Sequence, residues 1–208
     1  MKEIVNELEL IKKDYIKYYK DLLLKNHCIF SKTIMINSVL QRSISLIDAF
    51  EKLLSSNNIM VMNGIIRMQI DNCIYVYDVF MLYERKKDID KIFDDTILKN
   101  KQLKNFKINN QKLNDNYIVS RIDEFQKDFK NAYNFYCRFV HFSDTAGLLS
   151  MDPKDDYVME FNLSIDYSRF VDYVIINGNT FIQMSNLVLL LIKKYWTNFD
   201  NGRLIARL

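Results

Sequence analysis

Residues 59–86 read IMVMNGIIRMQIDNCIYVYDVFMLYERK and form the most apolar long segment of the chain. The segment predicts a helix whose apolar side chains lie on several sides instead of along one stripe. A helix with this pattern is typical of the centre of a bundle, where neighbouring helices cover it. We therefore predict an all-α fold built around this segment.

The remaining sequence supplies helices to cover that centre. Apolar residues recur at helical spacing in further segments, namely 3–25, 31–55, 89–99, 117–141 and 179–197. YVMEFNLSI and YVIIN, within residues 157–177, have a partly alternating, β-rich pattern instead. The prediction is a helical bundle of about five to six helices, with a small β-hairpin near 157–176.

Length and composition bound the class of protein. The chain has 208 residues, of which 49% are hydrophobic, and we predict that residues 1–208 form a single helical domain. Its 4 glycines and 1 proline are too few for the frequent turns of a β-sandwich or barrel. The net charge of +3 is far below that of a strong non-specific nucleic-acid binder, although a local patch can still contact RNA.

Sequence features also bear on the compartment. Charges occur throughout the N-terminal MKEIVNELELIKKDYIKYYK, unlike a signal peptide. The longest apolar run, Leu187 to Ile192, is much shorter than the roughly 20 residues that span a bilayer. We therefore expect a cytoplasmic protein with no membrane association. The three cysteines, Cys28, Cys73 and Cys137, are far apart, and we expect them to be reduced and to act as small buried hydrophobes.

Most familiar enzyme signatures are missing from the sequence. It has only 2 histidines, His27 and His141, and it lacks nucleophile-elbow, P-loop, dinucleotide-binding, HExxH and EF-hand patterns. Two histidines without a series of carboxylates do not favour a metal site. We therefore predict neither a metal nor a cofactor.

One segment, YNFYCRFVHFSD at 133–144, combines residues that handle phosphates and protons. On a helix, Asn134, Arg138 and His141 share one stripe, because steps of four and three residues return to the same face. A guanidinium grips phosphate oxygens in a bidentate fork, and an imidazole transfers protons near neutral pH. We predict Arg138 and His141 as catalytic residues and Asn134 as a substrate-binding residue.

Further residues are predicted to line the same site. Tyr133 and Tyr136 flank the stripe, and Asp144 follows the helix. Arg67 and Asp71 stand four residues apart within the apolar 59–86 helix, where a charge is costly unless it is paired or solvated.

Two arrangements of Arg67 and Asp71 are open. They pair with each other, or they face the His141 stripe across a polar cavity between two helices. Alternatively the whole cluster is structural, with His141 as a helix cap. A pocket for a nucleotide or small ligand, lined by Tyr133, Tyr136 and Arg67, is a weaker alternative.

These segments resemble two helical families. NGIIRMQIDNCIYVYDVF followed by YNFYCRFVHFSD resembles an uncharacterised bacterial group, the DUF5677-like proteins, which pair an arginine and an acid on one helix with tyrosines and a histidine on a later one. The layout also resembles the HEPN class of helical bundles, whose motif places an arginine before a histidine. In this chain only two residues separate Arg138 from His141, a shorter spacing than in that motif, and Phe139 replaces its polar residue.

The HEPN resemblance implies a function. Many such proteins are metal-independent RNases of toxin–antitoxin, CRISPR or phage-defence systems, and their sites usually meet across a homodimer. The resemblance thus implies RNA as substrate, His141 as general acid or base, and Arg138 or Arg67 as its arginine partner. The alternative is a non-enzymatic module that binds a protein partner or regulates a bacterial defence system.

Overall fold

Helices dominate the computed structural model, which describes residues 1–25, 31–56, 58–84, 89–99, 101–141, 151–153, 159–161 and 171–196. Seven α-helices lie in this described part: α1 (Lys2–Lys25), α2 (Ser31–Ser56), α3 (Ile59–Glu84), α4 (Ile89–Leu98), α5 (Asp115–Asp123), α6 (Phe129–Val140) and α7 (Val171–Trp196). The all-α prediction is confirmed. The helix count exceeds five or six because the predicted 117–141 segment is two helices.

The apolar segment is the central helix α3, as predicted. It packs against α2, α5, α6 and α7, and α7 is its main neighbour. Ile66, Ile70 and Cys73 on α3 are completely buried. Different helices cover different sides of α3. The rotation of α3 about its own axis therefore determines which of its polar residues face α5 and α6.

The division between α5 and α6 occurs at residues that favour a chain reversal. Asn114 caps α5 by accepting a hydrogen bond from the Tyr117 backbone N–H at 2.9 Å. Asp128, directly before α6, has a left-handed φ of 67°. Asp tolerates this conformation better than most residues do. The break lets α5 and α6 each contact α3 at its own angle.

Two small antiparallel hairpins lie between the helices in the part of the chain that the structure describes. The first pairs β1 (Lys107–Ile108) with β2 (Gln111–Lys112), and the second pairs β3 (Met151–Pro153) with β4 (Met159–Phe161). The second is the small sheet that was predicted, but it begins earlier than residue 157. Residues 171–176 instead begin α7, because burial of Val174 and of the adjacent turn against the bundle outweighs their β propensity.

A buried polar network crosses the core. The Gln69 amide donates to Ser185 Oγ at 3.2 Å, and its Oε1 accepts from Asn72 Nδ2 at 3.0 Å. Asn72 Nδ2 also donates to Ser43 Oγ at 3.0 Å, and Tyr15 Oη donates to the Ser185 carbonyl at 2.7 Å. These bonds join α1, α2, α3 and α7. Since a shift of any one helix would leave buried groups unpaired, the network fixes the relative position of four helices.

Helix α7 has a composition that also suits a membrane. Among the described residues, Val171–Lys194 is the one stretch long and apolar enough to span a bilayer, and 61% of its most apolar window is buried within the protein. The core helix of a soluble protein passes the same test. The absence of membrane association therefore stays a prediction.

A close contact between α1 and α7 predicts opposite effects of two glycine substitutions. A Cβ at Gly178 would lie 2.6 Å from Cδ1 and 3.1 Å from Cγ2 of the buried Ile4, whereas a Cβ at Gly64 meets nothing within 4 Å. Gly64→Ala should stabilise the protein by about 0.5–1 kcal/mol through helix propensity. Gly178→Ala should destabilise it by about 1 kcal/mol, because overpacking outweighs the same gain. Urea unfolding of both variants measures the difference, and equal stabilisation by both would contradict the packing of α1 on α7.

Candidate functional site

Arg67 is the centre of a polar cluster where α3 meets α5 and α6. The residue is only 8% exposed, and its Nη1 pairs with the Asp71 carboxylate one turn later. Its Nε donates to Cys137 Sγ at 3.1 Å, and its Nη2 lies 3.8 Å from Asp115 Oδ2. The guanidinium carbon lies 4.5 Å from the centroid of the Tyr133 ring. All three guanidinium nitrogens and one face of the group are therefore engaged by other side chains.

The surroundings of Arg67 and Tyr133 keep each of these two side chains in one charge state. Burial alone lowers the pKa of Arg67, but the charge of Asp71 and the hydrogen bonds to Cys137 and Asp71 outweigh it and leave the pKa raised. The Tyr133 hydroxyl donates to Asp115 Oδ2 at 3.2 Å. Burial, followed by the charge of Asp115, raises the pKa of Tyr133. The arginine thus stays charged and the tyrosine stays neutral throughout the physiological pH range.

The contacts of Arg67 can be compared with the two arrangements of Arg67 and Asp71 that the sequence left open. The arginine pairs with Asp71, as the first alternative states, and it also contacts α6 at Tyr133 and Cys137. A phosphate could approach the guanidinium edge only by displacing a carboxylate or the Cys137 sulfur. The geometry favours Arg67 as the residue that holds α6 against α3.

Asp78 is a buried acid that the sequence analysis did not single out. It lies seven residues after Asp71 on α3 and is 6% exposed. Its Oδ1 has no hydrogen-bond partner within the described part of the chain. Burial, with a further contribution from the nearby charge of Asp115, raises the pKa of Asp78 to about 8. Its position seven residues, or two helical turns, after Asp71 on an apolar helix was the sequence signal that could have revealed Asp78.

Tyr136 is a core residue that joins α6 to α7. It is buried, and its hydroxyl donates to Asn177 Oδ1 at 3.0 Å. Burial raises its pKa. The Tyr136 hydroxyl therefore binds α7, whereas Tyr133 contacts Arg67 on α3, so the described contacts do not bring these three residues together around one pocket. These contacts therefore do not support the alternative of a nucleotide or small-ligand pocket lined by Tyr133, Tyr136 and Arg67.

The predicted stripe on α6 is solvent-accessible. Asn134, Arg138 and His141 are all exposed. However, α6 ends at Val140, and His141 is its C-terminal cap with extended dihedrals, φ −96° and ψ 123°. The regular helical step used to place His141 on the stripe therefore stops one residue before it. Only its backbone N–H keeps the helical bond, to the Cys137 carbonyl at 3.1 Å.

The site residues thus fall into two groups. Asp71 and Tyr133 surround the buried Arg67, whereas Arg138 on α6 and His141 at its C-terminal cap are exposed and lie outside this cluster. No hydrogen bond or ion pair joins the His141 ring to an arginine among the residues that the structure describes. Asp144 lies outside the described residues.

The cysteines differ from one another. Cys73 is fully buried, as predicted, and burial raises its pKa. Cys137 is only partly buried and accepts the Arg67 hydrogen bond, so its prediction as a small buried hydrophobe was wrong. The reason is that α6 turns this position toward the polar cluster and not toward the core. Cys28 lies outside the described residues.

Possible metal ligands and comparisons with known proteins give no further information about the function of this site. No group of three or more His, Cys, Asp or Glu side chains is placed to hold a metal ion within the described ranges. No family model, curated protein or solved structure matches the chain.

Proposed function

We propose that this protein is a HEPN-like, metal-independent endoribonuclease acting as an effector in a toxin–antitoxin or phage-defence system. The observation that carries the proposal is the exposed imidazole of His141 at the end of α6, with the exposed guanidinium of Arg138 one turn before it. In this proposal the protein acts as a homodimer in the cytoplasm, and RNA is its substrate.

The chemistry needs a base and a cation, which these two side chains supply. A neutral His141 ring nitrogen accepts the proton of a ribose 2′-hydroxyl, and the 2′-oxygen attacks the adjacent phosphorus. The bond from phosphorus to the 5′-oxygen breaks, and that oxygen takes up a proton from water. The protonated His141 ring then returns its proton to the hydroxide that remains. Arg138 neutralises charge on the non-bridging oxygens as it develops. The products are a 2′,3′-cyclic phosphate and a 5′-hydroxyl.

The other predicted residues have supporting parts in the proposal. Asn134 lies on the same exposed face and offers an amide to the phosphate or a base. Arg67, with Asp71 and Tyr133 around it, positions α6 by holding Cys137. Tyr136 holds α6 against α7 through Asn177. These positioning residues act through the helix and not on the RNA.

Loss of the His141 imidazole should abolish cleavage. His141→Ala should lower the rate of RNA cleavage by about 100-fold or more, since general acid–base catalysis contributes roughly 10²–10⁴-fold. The assay follows total RNA in the presence of EDTA on a denaturing gel, and mass spectrometry identifies the new ends. His27→Ala is the matched control, because it removes the only other histidine. Circular dichroism verifies folding.

Three results would remove the proposal. They are equal cleavage by the wild type and His141→Ala, equal losses in the two histidine variants, or no cleavage by the wild type at stoichiometric protein. Cleavage that requires an added divalent cation would retain the nuclease but not its metal independence.

A second candidate function is a non-enzymatic module that binds a protein partner or regulates a defence system. The full engagement of Arg67 by Asp71, Cys137, Asp115 and Tyr133 favours it, because a structural cluster needs no substrate. A wild type without RNase activity, together with a large loss of stability on replacing Arg67, would favour this candidate over the first.

A further inference from the structure

The first hairpin presents two lysines side by side. Lys107 on β1 and Lys112 on β2 are direct cross-strand partners, so their side chains project from the same face about 5 Å apart at Cβ. A two-residue turn at Asn109 and Asn110, both with positive φ (49° and 66°), connects the strands. The turn type fixes this register, so the juxtaposition of the two lysines is built into the hairpin.

Like charges in direct cross-strand register destabilise a hairpin. Both lysines are exposed, as is Lys104 in the helical turn just before β1. None of these three forms an ion pair with a carboxylate in the part of the chain that the structure describes. Nearby Lys99 and Lys101, by contrast, both pair with Asp95. The hairpin therefore concentrates positive charge that the fold itself does not neutralise.

The hairpin is also firmly mounted on the bundle. Leu103, Ile108 and Leu113, which alternate with the exposed lysines, are buried. The Leu113 N–H donates to the Phe106 carbonyl at 3.2 Å and continues the strand pairing toward the core. Because the backbone is fixed, a ligand need order only the lysine side chains and not the loop.

We propose that Lys104, Lys107 and Lys112, the lysine hairpin, form a docking surface for the phosphodiester backbone of a nucleic-acid strand. The choice of RNA as that strand rests on the proposed function. The lysines carry compact ammonium groups from adjacent positions on a fixed backbone, where they can contact successive phosphates, and binding releases the counterions condensed on the strand. The tip between the lysines is formed by Asn109, Asn110 and Gln111, all exposed and polar. A protein partner would find no aromatic or aliphatic anchor at this tip.

The test measures RNA binding apart from cleavage. The probe is a fluorescein-labelled oligouridine of about 20 nucleotides, longer than a typical single-strand site, and the background is His141→Ala. Lys107→Gln with Lys112→Gln should weaken binding about ten-fold at about 50 mM salt and reduce the slope of log K against log salt by about 1.4. The melting temperature should be unchanged or slightly higher, since a like-charge pair is removed.

The matched control removes two lysines that also lie close together. Lys13 and Lys17 are exposed and stand four residues apart on α1, so Lys13→Gln with Lys17→Gln changes the net charge equally. The control should alter affinity less than about two-fold if the hairpin is the contact. Equal losses in both double variants, no loss in either, no binding by the parent, or displacement of the RNA by polyglutamate at equal charge would overturn the proposal.

Binding and cleavage can fail independently of each other. Hairpin-dependent binding without cleavage by the wild type would keep the docking surface and remove the nuclease. Cleavage that the hairpin substitutions do not affect, with unchanged binding, would keep the nuclease and remove the docking surface.

Discussion

Replacing Asp78 by asparagine should raise the free energy of unfolding by about 3–5 kcal/mol at pH 8 and leave it nearly unchanged at pH 4. The pKa of this buried carboxyl is raised from its ordinary value of 3.8 to about 8 by burial and by Asp115. Between about pH 4 and pH 8, the folded protein therefore keeps a proton on Asp78 that the unfolded chain has already released. An asparagine side chain has the same shape and needs no proton.

The sign of the effect follows from which state holds the proton. Below about pH 4 Asp78 is neutral in both states, so its contribution to stability is fully present. As the pH rises from about 4 to 8, the unfolded chain ionises first and the contribution is lost, so the wild type becomes less stable. Above about pH 8 the folded state ionises as well and the loss levels off. The variant lacks this decline.

Urea unfolding between pH 4 and 9 measures the two curves. Asp14→Asn, at an exposed position on α1, serves as the control and should change stability by less than about 0.5 kcal/mol. Parallel curves for the wild type and Asp78→Asn would mean that Asp78 is ionised in the folded protein at neutral pH. A stabilising partner for its carboxylate would then be required.

The general architecture could be predicted from the sequence because it depends on periodicity alone. The apolar residues of α3 surround the whole helix, a local property that does not depend on which neighbours cover it. Apolar periodicity also located α1 and α2, whose ranges differ from the predicted ones by no more than one residue. The 117–141 break was missed because Asp128 interrupts a pattern whose apolar spacing continues across it.

The candidate site could be predicted only in part, because it depends on contacts between distant segments. The spacing of Arg67 and Asp71 made their pairing within one helix one of two open arrangements, and the structure shows that pair. Asp115 joins them from a helix that begins more than forty residues later, and no local pattern marks it. The predicted stripe of Asn134, Arg138 and His141 requires helical geometry as far as His141, whereas the helix ends at Val140.

For the first hairpin too, the sequence reveals the residue types but not which side chains lie next to each other. Residues 101–113 look like a polar surface excursion, and their lysines resemble those of any lysine-rich chain. Their juxtaposition depends on register, which the turn at Asn109 and Asn110 determines. Two asparagines in succession were the available signal, since asparagine tolerates the left-handed conformation that such turns need.

Replacing Arg67 by methionine should lower the stability of the protein much more than replacing Arg138. Arg67→Met should lower the free energy of unfolding by about 2–3 kcal/mol, because it removes charge-assisted bonds and the cation–π contact with Tyr133. The loss stays below the roughly 3–5 kcal/mol typical of a fully buried pair. The Asp71 and Asp115 side chains are 39% and 47% exposed and regain water. Arg138→Met, at an exposed position, should cost less than about 0.5 kcal/mol.

Cleavage should show the reverse order. Per folded molecule, Arg138→Met should lose about 100-fold in rate, because one donor to a developing oxyanion contributes roughly 10²–10³-fold. Arg67→Met, assayed at a temperature where it is fully folded, should lose less than about ten-fold, since it acts by positioning α6. Urea unfolding and the RNA gel assay provide the two measurements for each variant. A stable Arg67→Met protein that cannot cleave RNA would instead make Arg67 the phosphate ligand, and its present partners would have to release it when RNA binds.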